Sequence, residues 1–381
     1  MDFSWSEEQL ALKRSIVDFA RAQLNDGLIE RDQAAAFPRD NWKKCADFGI
    51  QGLAVPEEYG GGGFDALTTM LALEGLGYGC RDNGLIFAIN AHMWAVQTPL
   101  LRFGSAEQKS RYLPKLAGGD WIGAHGMSEP GSGSDSFALA TTATRSGDRY
   151  VLRGSKTFVS NAPVADLFLV FASTNKARGF MGITAFLIEK GTPGLAVGRP
   201  IEKMGLRTSP MGEVVLEECE VDVSARLGNE GNGGTIFKHS MLWERGLILA
   251  SAVGSMERQL ETAVAYARTR QQFGQAIGKF QSVANQLVDM KLRLETARLL
   301  LYRAAWLRAQ GQEGLEEVAM AKLYLSECMV RSSLNAIQVH GGYGYTTEYE
   351  VERDLRDAVG ARLYSGTSEV LRNIIARGLG L

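Results

Sequence analysis

The sequence predicts a three-part chain, helical at both ends, with a small antiparallel β-barrel or sandwich in the middle. Two periodicities and one change of texture point to it. Apolar residues recur at helical spacing through roughly the first 120 residues. From about residue 123, Gly, Pro and Ser become dense and apolar residues alternate with a period of two. Beyond about 233 the steps of three and four return and run long, as in a helix bundle. The expected divisions are 1–122, 123–232 and 233–381.

The elements follow in order. Ser6 with Gln9 three residues on reads as a capped helix start, and Leu10, Ile16, Val17 and Phe19 recur on a face behind it. A breaker stretch at 55–63 ends in four glycines, after which Leu67, Met70, Leu71, Leu73 and Leu76 resume the helical pattern. Segments 166–172, 182–189 and 212–222 are strand candidates separated by turn residues. Leu287, Met290, Leu294, Ala297 and Leu301 form a bundle seam, and Leu323, Val330, Leu334 and Ile337 form a similar stripe. His340-Gly341-Gly342-Tyr343-Gly344 breaks that helix, and a last helix is expected over about 368–377.

Composition excludes several classes. In 381 residues, 41 Lys+Arg stand against 43 Asp+Glu, a formal charge of −2, so no general attraction to nucleic acid or an anionic membrane is expected. Cys45, Cys80, Cys219 and Cys328 are too far apart for a disulfide framework or a Cys-based zinc site. The N-terminus, beginning Met1-Asp2-Phe3, is acidic with no apolar stretch behind it, so no signal peptide is expected. No run reaches 18 apolar residues, and a reduced, soluble, cytoplasmic protein is the expectation. There is no Gly-x-Gly-x-x-Gly after a strand, no P-loop and no Gly-x-Ser-x-Gly elbow. His92, His125, His239 and His340 lack metal-ligand spacing, so no metal is expected and each reads as structural.

Five segments could carry chemistry, and each has an ordinary reading beside the functional one. Segment 125–135 is rich in small residues and hydroxyls, and such a loop can approach an anion or a heteroaromatic ring; it is also an ordinary interdomain turn. Segment 156–161 is a possible ring-contacting strand end or merely core. Glu244, before Arg245, is one carboxylate in an apolar helix: a base with a raised pKa if buried, a surface ion pair if not. Arg268 and Arg270 before Gly274 suit a helix C-terminus, or a phosphate. Segment 338–344 is either a C-cap or a loop laid on a pyrophosphate.

In this order, these segments resemble the acyl-CoA dehydrogenase family along the whole chain. The motifs are Val55-Pro-Glu-Glu-Tyr-Gly-Gly61, Ser128-Glu-Pro-Gly-Ser-Gly-Ser-Asp135, Arg268-Thr-Arg-Gln-Gln-Phe-Gly274, Gln338 to Gly342, and Tyr364-Ser-Gly-Thr367. Any one is weak; five in register are specific. The resemblance implies an N-terminal helical domain, a middle β-domain and a C-terminal four-helix bundle. It implies FAD and a homotetramer built from two dimers. By position, Met127, Ser128 and Ser134 would line the flavin, with Phe158 and Ser160 beside its ring. Arg270, Phe273, Gln281, Gln338, Gly341 and Gly342 would reach the FAD of a neighbouring subunit. Thr367 and Glu369 would close over its diphosphate side. A ribityl hydroxyl and the N–H of Ser365 would hold the thioester carbonyl.

The family chemistry removes a proton alpha to the thioester carbonyl and passes a hydride from the beta carbon to flavin N5. Most members carry the base as a Glu just before the Gly-Thr of the last loop, where this chain has Ser365. A minority place it on the bundle helix before an Arg, and here stands Glu244-Arg245. Absence at one place and presence at the other make Glu244 the expected base. The finer resemblance, through Trp243-Glu-Arg, 256–261, 291–301, Asn161-Ala-Pro-Val-Ala-Asp166 and Ser365-Gly-Thr-Ser368, is to a subgroup that oxidises an L-prolyl group tethered to a carrier protein. It implies a pyrroline or pyrrole product, with oxygen or an electron-transfer flavoprotein as electron acceptor. Ser134, Trp243, Arg245 and Ser365 would then meet the substrate, though Trp243 equally reads as bundle core. Two alternatives stand beside this: the same chemistry on a short or branched acyl-CoA, and a non-catalytic homologue acting as a binding partner.

Overall fold

The first helix begins where its cap dictates. Ser6 Oγ accepts from the Gln9 N–H (3.1 Å) and the Gln9 side chain accepts from the Ser6 N–H (3.0 Å). The computed structural model describes residues 4–381; Met1, Asp2 and Phe3, the start of the acidic N-terminus, lie outside the described residues. Helix α1 (Glu7–Gln23) buries Ile16, Val17 and Ala20. Leu10, expected on that face, is 37% exposed, because Gln9 turns onto the neighbouring helix and bonds Thr68 (2.9 Å). Helices α2 (Leu28–Ala34) and α3 (Arg39–Asp47) follow, then the glycine-rich break, then α4 (Ala66–Gly79) and α5 (Asn83–His92). A π-helical turn, Met93–Gln97, leads into α6 (Thr98–Phe103), and α7 (Ala106–Ala117) closes this block.

The middle block has strands β1 (Gly123–Gly126), β2 (Thr142–Ser146), β3 (Arg149–Ser160), β4 (Leu167–Ser173), β5 (Ile183–Glu189), β6 (Leu195–Val197), β7 (Met211–Asp222) and β8 (Arg226–Leu227). They form one eight-stranded sheet in the order β6-β7-β3-β2-β4-β5-β8, with β1 on β4. The sheet is mixed rather than purely antiparallel: β1 runs parallel to β4, and β2 meets β4 in parallel at Thr142 and Ser173. All seven residues of β4 are buried, as expected of a strand covered on both faces.

The last block comprises α8 (Gly233–Leu247), α9 (Ala250–Thr269), the two-residue strands β9 (Gln271–Gln272) and β10 (Gln275–Ala276), α10 (Gln281–Ala309), α11 (Leu315–His340), α12 (Val351–Gly360) and α13 (Ser368–Gly378). Helix α9 crosses α4 at backbone contact. A Cβ on Gly77 would lie 1.8 Å from the Ser251 carbonyl oxygen, and one on Gly254 would lie 2.0 Å from that of Glu74. Buried Glu74 ties three elements together through Lys13 (2.6 Å), Arg298 (3.5 Å) and the Tyr302 hydroxyl (2.7 Å). On α10, Met290, Leu294, Ala297 and Leu301 are buried as their spacing predicts. On α11 the buried face differs from the expected stripe. It mixes apolar Val318, Leu325 and Val339 with small and polar residues, Ala321, Lys322, Ser326, Ser333 and Ala336 among them, while Leu334 is 51% exposed. The expected stripe lies beside this face: Leu323, Val330 and Ile337 are half-buried. Among the described residues, no helix is long and apolar enough to cross a membrane.

Candidate active site

The sheet, α8 and the segment before α13 converge on a cavity of about 660 Å³. One wall is the small-residue loop after β1. It is braced from beneath by fully buried Lys156, whose Nζ donates to Glu129 (2.7 Å) and to the Met127 carbonyl (3.2 Å). Glu129 also accepts from the N–H groups of Ala140 (2.6 Å) and Thr141 (3.0 Å), and Ser128 accepts from that of Thr157 (2.9 Å). This places Met127, Ser128 and Ser134 on the cavity wall.

The end of β3 supplies Phe158 and Ser160 to the same wall. Its pairing with β7 shifts register between Lys156 and Val159, and Phe158 adopts a φ of +54°. That bulge turns the ring outward, 63% exposed, instead of into the sheet. Nearby, His125 is buried between Phe171 (5.1 Å) and Phe237 (5.9 Å), and burial pushes its imidazole down to about 4. His125 lines the cavity, and its buried Nε2 has no partner among the described residues. A flat exposed ring, several hydroxyls and a buried ring nitrogen awaiting a partner suit a flat heteroaromatic with a polar edge. The residues present therefore fit a flavin.

The opposite wall carries Glu244, Arg245, Ser365 and Thr367. Glu244 lies on α8, and the Ser365 hydroxyl donates to its Oε1. Arg245 Nε donates to the Ser365 carbonyl (2.9 Å), and Lys322 Nζ donates to the Gly366 carbonyl (2.7 Å). Burial raises the Glu244 carboxyl above its usual range, while the Ser365 hydroxyl, Arg245 and Lys322 oppose the rise. Burial and Arg245 push the Lys322 ammonium down to about 7. Thr367 caps α13, its Oγ1 accepting from the Val370 N–H (3.3 Å). The arrangement is a carboxylate with a raised proton affinity facing a cavity, held in place by a hydroxyl and flanked by two cations.

Two expected site residues stand elsewhere. Trp243 does not line this cavity. It stacks in parallel on Trp94 (6.0 Å) with Arg308 4.5 Å over its ring. That stacking turns Trp243 away from the cavity, into the contact between α8 and the π-helical turn. Glu369 is exposed on the first turn of α13, away from the wall.

The remaining candidates form a second group. Arg270, Gly341 and Gly342 line a shallow surface recess with Tyr266 and Tyr343, and the Arg270 guanidinium lies 5.5 Å over the Tyr343 ring. Phe273, at a φ of +50°, is 94% exposed in the turn between β9 and β10. Gln281 opens α10 and Gln338 is exposed near the end of α11. Sequence reasoning does not single out Lys322, Lys156, Glu129 or the Ser365 hydroxyl for these roles. A lysine spaced with buried positions on α11 is the available signal.

Family models for the acyl-CoA dehydrogenase N-terminal, middle and C-terminal domains match residues 6–120, 124–219 and 231–380. The chain belongs to the acyl-CoA dehydrogenase family. It is 45% identical over 381 residues to an L-prolyl-[peptidyl-carrier protein] dehydrogenase of a Serratia species, covering 100% of this chain and 99% of that one. Among solved structures it is similar to the prolyl acyl carrier protein oxidase AnaB (TM-score 0.98, 53% identity, covering 99% of this chain and 100% of that one). It is also similar to PigA solved with FAD and proline (TM-score 0.98, 45% identity, both chains fully covered).

Proposed function

We propose that this chain is an FAD-dependent enzyme that oxidises an L-prolyl group carried as a thioester on a carrier protein. The observation that carries the reading is Glu244, a carboxylate of raised proton affinity on the cavity wall, bonded by the very serine that stands where most of the family has its base. The full-length likeness to prolyl-carrier enzymes supports the substrate.

When bound, FAD supplies the hydride acceptor. Met127, Ser128, Ser134, Phe158, Ser160 and Thr367 would hold it, with Glu369 near the diphosphate side. In a homotetramer, Arg270, Phe273, Gln281, Gln338, Gly341 and Gly342 would reach the FAD of a neighbouring copy. The exposed Phe273 and the outward Val288, Leu292, Leu299 and Leu334 of α10 and α11 support such a partner. Glu244 takes the α-proton of the prolyl thioester. The Ser365 N–H, which finds no acceptor among the described residues, is free to bind the thioester oxygen as charge develops there. Arg245 orients Ser365, and Ser134 borders the substrate. The two electrons leave for oxygen or an electron-transfer flavoprotein. One such oxidation gives a pyrroline and a second gives a pyrrole. The reading includes domains at 1–122, 123–232 and 233–381, and a cytoplasmic location.

An anaerobic titration of the yellow holoenzyme tests the substrate. Prolyl-loaded carrier protein is expected to bleach the flavin, and prolyl-CoA and isovaleryl-CoA to leave it oxidised, because the partner's surface contributes to binding and orientation. Bleaching by isovaleryl-CoA would move the enzyme to acyl-CoA oxidation. No bleaching by any thioester would sink the substrate assignment.

Ser365→Ala gives a pH test of the base. The base works ionised, so the rate falls as pH drops through the Glu244 titration. The hydroxyl stabilises the ionised form, so removing it moves this acid limb to higher pH. On the acid side of the limb the variant is expected to lose on the order of tenfold more rate than on the alkaline side. Superimposable profiles would dissociate Ser365 from the base.

A further inference from the structure

The turn that carries Ser365 is held in an unfavourable conformation. Ser365 has a φ of +54° and Gly366 a φ of +98°. A left-handed backbone is costly for a serine and persists only where surroundings impose it. The impositions are identifiable. Arg245 donates to the Ser365 carbonyl and Lys322 to the Gly366 carbonyl, so both carbonyls of the strained pair end on buried or half-buried cations. The ends of the segment are fixed by the same helix. Glu327, five residues beyond Lys322 on α11, accepts from Arg362 Nε (3.0 Å) and from Ser368 Oγ (2.8 Å). The Ser368 N–H closes onto the Arg362 carbonyl (3.1 Å).

With its carbonyls occupied from behind, the turn presents the other side of its peptide groups to the cavity. Among the described residues, the N–H groups of Ser365 and Gly366 find no acceptor. The Ser365 hydroxyl meets Glu244. Lys322 is 1% exposed and its ammonium stands 5.6 Å from the Tyr364 ring. A buried ammonium is costly, and an apolar side chain would fill that space at lower cost if filling were all that mattered.

We propose that Lys322 is a positioning residue for the oxidation: by gripping the Gly366 carbonyl it holds the Ser365–Gly366 turn with the serine hydroxyl on Glu244 and the serine N–H turned to the thioester. This rests on the dehydrogenation reading above for its consequence in catalysis, but not for the grip itself. The groups facing Lys322 are Glu244 and Arg245 from α8, Glu327 from its own helix, and Tyr364 from the segment after α12. Lys322 does not line the cavity, so its effect must pass through the turn.

The test compares holoenzymes of wild type, Lys322→Met and Lys322→Ala, the last with and without added ethylamine. Backbone amide exchange in a peptide spanning 363–368, measured without substrate, reads the grip. Anaerobic flavin reduction at saturating thioester, with whichever thioester bleaches the wild type, reads the consequence. In Lys322→Met, exchange over 363–368 is expected to quicken while α8 and the rest of α11 keep wild-type protection. The reduction rate should fall by about tenfold to a hundredfold, as for a displacement of about 1 Å, with the half-saturating concentration changing far less. Ethylamine should restore part of both in Lys322→Ala. Wild-type exchange over 363–368 with a rate within twofold of wild type would overturn the proposal. So would loss of protection throughout α8 and α11 without amine rescue, which would make Lys322 a scaffold residue only. If no thioester bleaches the wild type, the functional reading fails by itself, and the exchange measurement with amine rescue still decides whether Lys322 holds the turn.

Discussion

Glu244→Gln is expected to retain FAD with an ordinary oxidised spectrum and to slow flavin reduction by prolyl-carrier protein by about a thousandfold. Positioned acid–base groups contribute about 10²–10⁴ in rate, and the middle of that span is the expectation for a base that starts the reaction. The substitution is nearly isosteric. The introduced amide oxygen can still accept from the Ser365 hydroxyl, and Arg245 and Lys322 keep their hold on the two backbone carbonyls. What disappears is a cavity-facing carboxylate raised in proton affinity by burial. Asp357 also lines the cavity, and burial pushes its carboxyl up to about 7, but both of its oxygens are committed, to the Leu206 N–H (2.5 Å) and to Asn83 (3.1 Å). It is therefore a poor substitute base. Stopped-flow mixing under anaerobic conditions reads the rate directly. A variant reducing within tenfold of wild type would place the base elsewhere, and Asp357 would be the next residue to replace.

Local chemistry is legible in this sequence, and pairings across the chain are not. The Ser6–Gln9 cap and the strands at 166–172, 182–189 and 212–222 depend on residues within a few positions of one another, and they are where their patterns predict. Leu334 and its neighbours on α11 mark the limit of that reasoning. Periodicity shows that a helix has an apolar stripe but not whether the stripe meets this chain's core or another surface. The site divides the same way. Glu244 and Ser365 can each be named from a motif, yet the hydroxyl-to-carboxylate bond spans 121 positions. Lys322 meets Gly366 across 44 positions, on a helix whose buried face mixes apolar side chains with small and polar ones. Trp243 stands beside Glu244 in one motif, yet its ring stacks on Trp94, a partner 149 positions away, instead of facing the cavity. Lys156 sits in a period-two strand, where a charged residue ordinarily faces solvent; the register shift after it, which no propensity announces, accompanies its burial beneath the loop.

That buried lysine gives the largest expected effect on stability. Lys156→Met leaves Glu129 enclosed without its counter-ion, and removing one partner of a buried pair costs about 3–5 kcal/mol. The loss falls on a particular structure. Lys156 joins Glu129 to the Met127 carbonyl, and Glu129 passes the restraint to the N–H groups of Ala140 and Thr141. The loop bearing Ser128 and Ser134 is strung between these points, so denaturant unfolding and flavin release should both move. The double variant Lys156→Met, Glu129→Gln separates the two effects. It removes both charges, so most of the stability should return. Flavin retention should not return with it, because nothing in the double variant ties the strand to the Met127 carbonyl. If the double variant is as unstable as the single one, the pair's worth lies in packing rather than in charge. If it recovers flavin binding along with stability, the ion pair supports the sheet and not the loop.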